Sequence, residues 1–243
     1  MLTTRSRPLG RRQLVCGCCA GTLLAWVPAR ARAAEDAVVP VIEEPRHHTR
    51  FLNEYVRIIE AILVPGDITF YHRHSRDSVL IAARGVKMRV EQPGDPQAWI
   101  GEAKPGDVAY KNFGTHPLVH RVGNEDDHTA LFFDCEINVA QPGQFAPPDR
   151  GGAPAYVTQI DNDRVRVWRL TLTPGQSVPP IRQSGPGVRV VLAGDRLTET
   201  LAGAPDRNVS VHQGSYEYQP AGRMRGLVNS GTSPLDLLEF EVK

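Results

Sequence analysis

Two segments of the chain, "NEYVRIIEAILVPG" at 53–66 and "NDRVRVWRLTLTPG" at 162–175, are written on one template. Each opens on asparagine and closes on Pro-Gly, with Val-Arg in register between, at an offset of 109 residues. The same offset carries Gly85 onto Gly194. Further on, Gly106 matches Gly214 and Gly114 matches Gly222; after a three-residue contraction Asn124 matches Asn229 and Glu136 matches Glu241. A period of about 100 residues is the size of a domain, so the pattern reads as a tandem duplication.

Within each copy the apolar runs are short. "SVLIAARG", "VKMRVEQ", "DVAYKN", "TALFFDCEIN" and "VRVVLAG" favour β-branched residues and often alternate, and PGD, PGDP, KPGD, AGAPD and NSG separate them. Strands divided by Gly, Pro, Asn and Asp turns, with no helical period, predict an all-β barrel or sandwich built twice. The first unit spans 34–137, with 34–50 as an arm crossing into it, and the second spans 155–243. Between them, 138–154 ("NVAQPGQFAPPDRGGAP") is too rich in Pro and Gly for regular structure and reads as a linker.

Residues 1–33 differ from the rest. They hold six arginines and no acid, and without them the chain carries a net charge of −5. A mildly acidic remainder gives no electrostatic reason to bind nucleic acid or anionic lipid. The paired Arg11-Arg12, the modestly apolar "LVCGCCAGTLLAWVPA" and the Ala-x-Ala at Ala31–Ala33 predict an export signal. The pair followed by Gln-Leu-Val resembles a twin-arginine signal, which implies a bacterial periplasmic or secreted protein. The apolar core is shorter than the roughly 20 residues a spanning helix needs, so no stable membrane insertion is expected once the signal is removed. Cys16, Cys18 and Cys19 lie in that segment; beyond it only Cys135 remains, so no internal disulfide is expected and Cys135 reads as a buried strand residue.

The stretch "FYHRHSRDSVLIAARG", 70–85, carries the chemistry. Residues i and i+2 of a strand share a face, so His72 and His74 project together. Two imidazoles on one face are candidate ligands for a divalent transition metal, and the family resemblance set out below implies that His120, from another strand, joins His72 and His74 as a third ligand in an open site. Asp77 stands as a candidate fourth ligand; a turn cap or an acceptor that orients an imidazole is the alternative. Ser78 is a poor ligand. His116 is expected outside the cavity, and His47, His48, His128 and His212 in solvent. No nucleophile elbow, phosphate-binding glycine loop or H-E-x-x-H is present.

These residues resemble the two motifs of the cupin superfamily. The first, G-(x)5-H-x-H-(x)3,4-E-(x)6-G, is matched by Gly66, His72, His74 and Gly85. The second, G-(x)5-P-x-G-(x)2-H-(x)3-N, is matched by Gly106, Gly114, His120 and Asn124, with Asn112 in the proline position and three extra residues before the histidine. In the second copy Gly214, Pro220, Gly222 and Asn229 fit the second motif without insertion. The resemblance covers nearly all of 50–243 and implies a bicupin, two tandem double-stranded β-helix (jelly-roll) barrels. The departures are as informative. The motif glutamate falls on Ser78. In the second copy the histidine positions hold Ile181, Gln183 and Arg225, so that barrel is expected to be structural or a pocket without metal, with Arg225 pointing outward.

The resemblance implies a metal-dependent enzyme, and three histidines without the glutamate resemble the thiol- and diketone-dioxygenase branches; isomerase and lyase chemistry are also found in the superfamily. A non-catalytic protein that binds or stores a small ligand or metal is the rival. Affinity at nitrogen sites rises towards copper. A chain folded before export would escape that order, so iron or manganese is expected ahead of zinc, nickel or copper. A small-molecule ligand is the expected partner, and a homodimer is allowed.

Overall fold

The computed structural model describes residues 37–95, 97–140, 143–145, 150, 153 and 155–243. Residues 1–33, read from the sequence as an export signal, and part of the segment read as a linker lie outside them. The described residues form strands and one 3-10 turn, Val41–Glu43. No helix among them is long and apolar enough to cross a membrane.

The first ten strands are β1 (Val39–Pro40), β2 (His47–Leu52), β3 (Val56–Leu63), β4 (His72–His74), β5 (Ser78–Arg84), β6 (Lys87–Glu91), β7 (Trp99–Glu102), β8 (Val108–Lys111), β9 (Leu118–Asn124) and β10 (Ala130–Ile137). They make two five-stranded sheets, β1-β4-β9-β6-β7 and β2-β3-β10-β5-β8. The leading segment is thus part of the barrel, since β1 pairs with β4 and β2 with β3. The rest are β11 (Tyr156–Asp161), β12 (Val165–Leu172), β13 (Ser177–Arg182), β14 (Gly187–Ala193), β15 (Arg196–Leu201), β16 (Arg207–Ser210), β17 (Tyr216–Gln219), β18 (Met224–Val228) and β19 (Leu235–Val242). Their sheets run β11-β12-β19-β14-β17 and β13-β18-β15-β16. The order β2-β3-β10-β5-β8 recurs as β11-β12-β19-β14-β17, so the fold is all-β, two jelly-roll barrels in tandem.

The residues that coincide in sequence do the same work in space. Asn53 Oδ1 accepts from the amides of Tyr55 and Val56, and Asn162 Oδ1 from those of Arg164 and Val165. Asn124 Nδ2 donates to the carbonyls of Leu63 and His128, and Asn229 Nδ2 to those of Leu172 and Ser233. Gly66 and Gly175 turn at φ 80° and 82°, a region that favours glycine. Gly85 is required for space instead, because a Cβ there would lie 1.8 Å from the Ala103 carbonyl oxygen.

Strand alternation sends one face of the β2-β3-β10-β5-β8 sheet and one face of its counterpart β11-β12-β19-β14-β17 into a shared core. Val56, Ile58, Val79, Ile81, Phe133 and Cys135 belong to one buried cluster with Val165, Val167, Val188, Val190, Leu238 and Phe240. Each of the first six has its repeat counterpart among the second six, so the barrels pack through equivalent faces, and Cys135 is buried there as expected. The other face of β10, with Phe132 and Asp134, lines the interior of the first barrel.

Candidate metal centre

β4 and β9 are neighbours in the β1-β4-β9-β6-β7 sheet of the first barrel, with His72 directly opposite His120. His74, two residues on, points the same way. The ligand atoms of His72, His74 and His120 all lie within 4.8 Å of one another. His74 Nε2 and His120 Nε2 are 3.1 Å apart.

The other ring nitrogens fix the tautomers. His72 Nδ1 is 2.9 Å from the Phe70 carbonyl oxygen, an acceptor only, so Nδ1 carries the proton and donates. His74 Nδ1 lies 3.0 Å from Asp134 Oδ2 and donates to it in the same way. With Nδ1 so engaged, each ring turns its Nε2 inward, the arrangement that metal-bound histidines use. Burial, and then the neighbouring His74, lower the His72 pKa to about 4. Burial pushes His120 well below its ordinary value too. Both are neutral near pH 7 and offer lone pairs.

The fit to a metal ion can be tested on this geometry. The Nε2 atoms of His74 and His120 face each other at 3.1 Å, a separation at which one cation can take both at the ~2.1 Å of a metal–nitrogen bond. The outer oxygen of Asp134, Oδ1, is buried without a hydrogen-bond partner, and a cation behind His74 would compensate this charge. The residues fit a divalent transition metal.

Asp77 is not brought to this cluster. Its carboxylate accepts from the Tyr110 hydroxyl at 2.9 Å, the Gly114 amide at 3.0 Å and Arg164 Nε of the second barrel at 3.1 Å. It fastens the loop whose Phe113 ring lies 4.8 Å from that of His74. Ser78 is buried and its hydroxyl donates to the Arg76 carbonyl. His116 is exposed on Asn112 and Thr115, and His48, His128 and His212 are exposed.

His47 departs from expectation. It lies on β2, its side chain is only 8% exposed, and its ring sits 4.6 Å from that of His72. Nδ1 is 3.4 Å from Glu44 Oε2. Burial, with the neighbouring histidines, lowers its pKa to about 2. Alternation along "HHTRFL" gave no sign of this, because β2 is exposed at most other positions. The only sequence signal was a histidine three residues after a buried glutamate.

Behind the histidines lies a cavity of about 290 Å³. His47, His72, His74 and His120 form one end, and Leu80, Ile81, Met88, Val108, Phe132 and Phe133 are among the apolar residues of its wall.

The second barrel has no such cluster among its described residues. Ile181 and Arg225 pair across β13 and β18 as His72 and His120 do across β4 and β9. Arg225 points inward, against expectation: it is 4% exposed and donates to Gln219 and Glu239. Gln183 is buried beside it. Arg150 enters from the linker, lies over the Trp168 ring at 3.9 Å and pairs with Glu239 and Glu241. Arg189 bridges Glu239 and Glu199. Three buried arginines thus face three buried glutamates where the first barrel keeps space. A recess of about 550 Å³ at the mouth of this barrel includes Arg189, Arg207 and Glu217, which are engaged with one another and with Glu199.

No family model and no curated protein matches the sequence. Among solved structures, AerE from Microcystis aeruginosa superposes with a TM-score of 0.52 at 12% identity, covering 82% of this chain and 98% of that one. Salicylate 1,2-dioxygenase from Pseudaminobacter salicylatoxidans gives 0.53 at 13% identity over 79% of this chain and 72% of its own. A variant of oxalate decarboxylase from Bacillus subtilis gives 0.54 at 14% identity over 80% and 71%. The architecture of two tandem jelly-roll barrels is shared with these structures, and at these identities the likeness concerns the fold alone. Among the described residues the first barrel keeps a three-histidine cluster, and the second has Ile181, Gln183 and Arg225 at the equivalent positions.

Proposed function

We propose that this bicupin is a metalloenzyme whose first barrel holds one divalent transition metal on His72, His74 and His120 and acts on a small molecule, with dioxygenase chemistry as the reaction class. The observation that carries it is the cavity of about 290 Å³ opening directly on the three inward imidazoles. A store for metal alone needs no such space beside the ligands. The metal would supply open positions for oxygen and substrate together. The chain's own part is to hold the ligand rings through Phe70 and Asp134, to exclude water with an apolar wall, and to present His47 beside the cluster. Iron or manganese is the proposed native metal. The neighbours named as a dioxygenase and a decarboxylase support an enzyme in this frame by analogy of fold.

Oxygen uptake by iron-loaded protein across a panel of small chelating molecules tests this reading. Uptake that requires both a panel member and His72 supports it. Tight binding of metal and small molecules with no turnover of any of them favours the binding or storage protein instead.

We also propose export through the signal of 1–33, supported by Arg11-Arg12 and Ala31–Ala33. Exported protein should begin between Arg32 and Glu35 on N-terminal sequencing; an intact start in the membrane fraction contradicts this.

A further inference from the structure

The charge pattern of the first cavity narrows what can enter it. Four imidazoles, two carboxylates, the Thr69 side chain and an apolar wall make up its chemistry; no lysine or arginine lines it among the described residues. Asp134 is buried at the histidine end, and Asp107 is exposed at the mouth. Both carboxylates are acceptors only, so neither can offer a hydrogen bond to an anion when ionised. Leu80, Val108 and Phe132 line it from β5, β8 and β10, in the sheet other than that of the histidine strands β4 and β9.

The second barrel shows that this scaffold can place a cation at that wall. Leu80 pairs in register with Asp134 on β10, and Arg189 pairs in register with Glu239 on β19. The wall position is thus arginine in the second barrel and leucine in the first. A charged group buried without a counter-ion in an apolar cavity forfeits its hydration with nothing in return. Next to carboxylates an anion is penalised further. The exception is an anion that sits on the metal itself, whose charge compensates it.

We infer that the first cavity takes a small molecule that meets the metal through a chelating head and carries no charged group on the part buried against the Leu80–Val108–Phe132 wall. This rests on the metal reading above and specifies its substrate class: an apolar body with one polar end, and not a compound with a carboxylate or phosphate remote from the metal.

Two probes separate the possibilities. 4-Methylcatechol and 3,4-dihydroxybenzoate share a chelating head and differ by a methyl or a carboxylate at the far side. Their binding to zinc-loaded protein, which is redox-inert, is measured by calorimetry without oxygen. 4-Methylcatechol is expected to bind at least tenfold more tightly. Met88→Lys, a half-buried wall position, should shrink that ratio by adding a cation. Equal or tighter binding of the acid overturns the inference and leaves the metal reading standing. Zinc binding with neither probe bound overturns it as well. Failure to bind zinc at all overturns the metal reading and this inference with it.

Discussion

Asp134 and Glu239 occupy the same place on the same strand of the two barrels and hold different partners. Asp134 accepts from His74 Nδ1 at 3.0 Å. Glu239 accepts from Arg189 Nε at 2.8 Å and Arg225 Nη2 at 3.0 Å, and pairs with Arg150. The carboxylate is the common element. In the first barrel it orients an imidazole; in the second it neutralises guanidinium groups that occupy the interior. The duplication has thus kept the acceptor and exchanged what it holds.

Asp134→Asn should therefore act through His74. The amide can still occupy the space, but it lowers the basicity of the ring and can turn an N–H towards Nδ1. Metal affinity should fall about 10–100-fold, the usual effect of removing such a partner, while the fold is retained. Zinc titration against a chromophoric chelator, with circular dichroism as the control, checks both.

Asp77→Ala gives the contrasting outcome. As a ligand its loss would weaken metal binding as strongly as loss of a histidine. Its three bonds go to Tyr110, Gly114 and Arg164 instead. The expected result is a lower melting temperature and a change in zinc affinity of less than about tenfold. His120→Ala should abolish zinc binding under the same conditions.

The buried ion network of the second barrel should dominate its stability. Removing one partner of such a network leaves an uncompensated charge, at a cost of about 3–5 kcal/mol. Glu239→Gln leaves Arg150, Arg189 and Arg225 with only Glu199, Glu217 and Glu241 as carboxylate partners, and chemical denaturation should show a loss of that size. Metal content should stay at its original value in the variant that folds.

Acid should unfold the metal-free protein through its histidines. In the unfolded chain each imidazole takes up a proton near pH 6.5, whereas in the folded chain His72 does so only near 4 and His47 only near 2. The unfolded state binds more protons in between, so stability is full above pH 6.5 and falls as the pH drops, by about 1.4 kcal/mol per pH unit for each such group. His120, also lowered by burial, adds to the same limb. Melting temperatures from pH 8 to 4 should show this decline, and His47→Leu should make it shallower by one proton. A pH-independent melting temperature over that range contradicts the assignment of buried neutral rings.

Much of this was legible in the sequence because it is local or periodic. Asn53 with Asn162, Asn124 with Asn229 and the Pro-Gly turns each make their bonds within a repeat, so the duplication could be read at a fixed offset. His72 and His74 declared their shared face by spacing. His47 and Arg225 did not: each reaches the interior from a strand whose other residues are mixed in exposure, and although Glu44 lies only three residues before His47, the buried Glu239 that meets Arg225 is brought close by the fold. Arg150 entered the second barrel from a stretch read as plain linker, where no pattern marks a residue as buried. Asp77 sat beside the motif glutamate position but turned towards Arg164, a partner from the other repeat.

The central claim is one metal on His72, His74 and His120 and none in the second barrel. The most direct measurement is the metal-to-protein ratio by elemental analysis after saturation with zinc and removal of the excess. It should be made on the wild-type chain, on the His72→Ala/His74→Ala/His120→Ala variant and on Gln183→Ala. The account predicts ratios close to one, zero and one. A ratio near two in the wild type, or retention of metal in the triple variant, would contradict it.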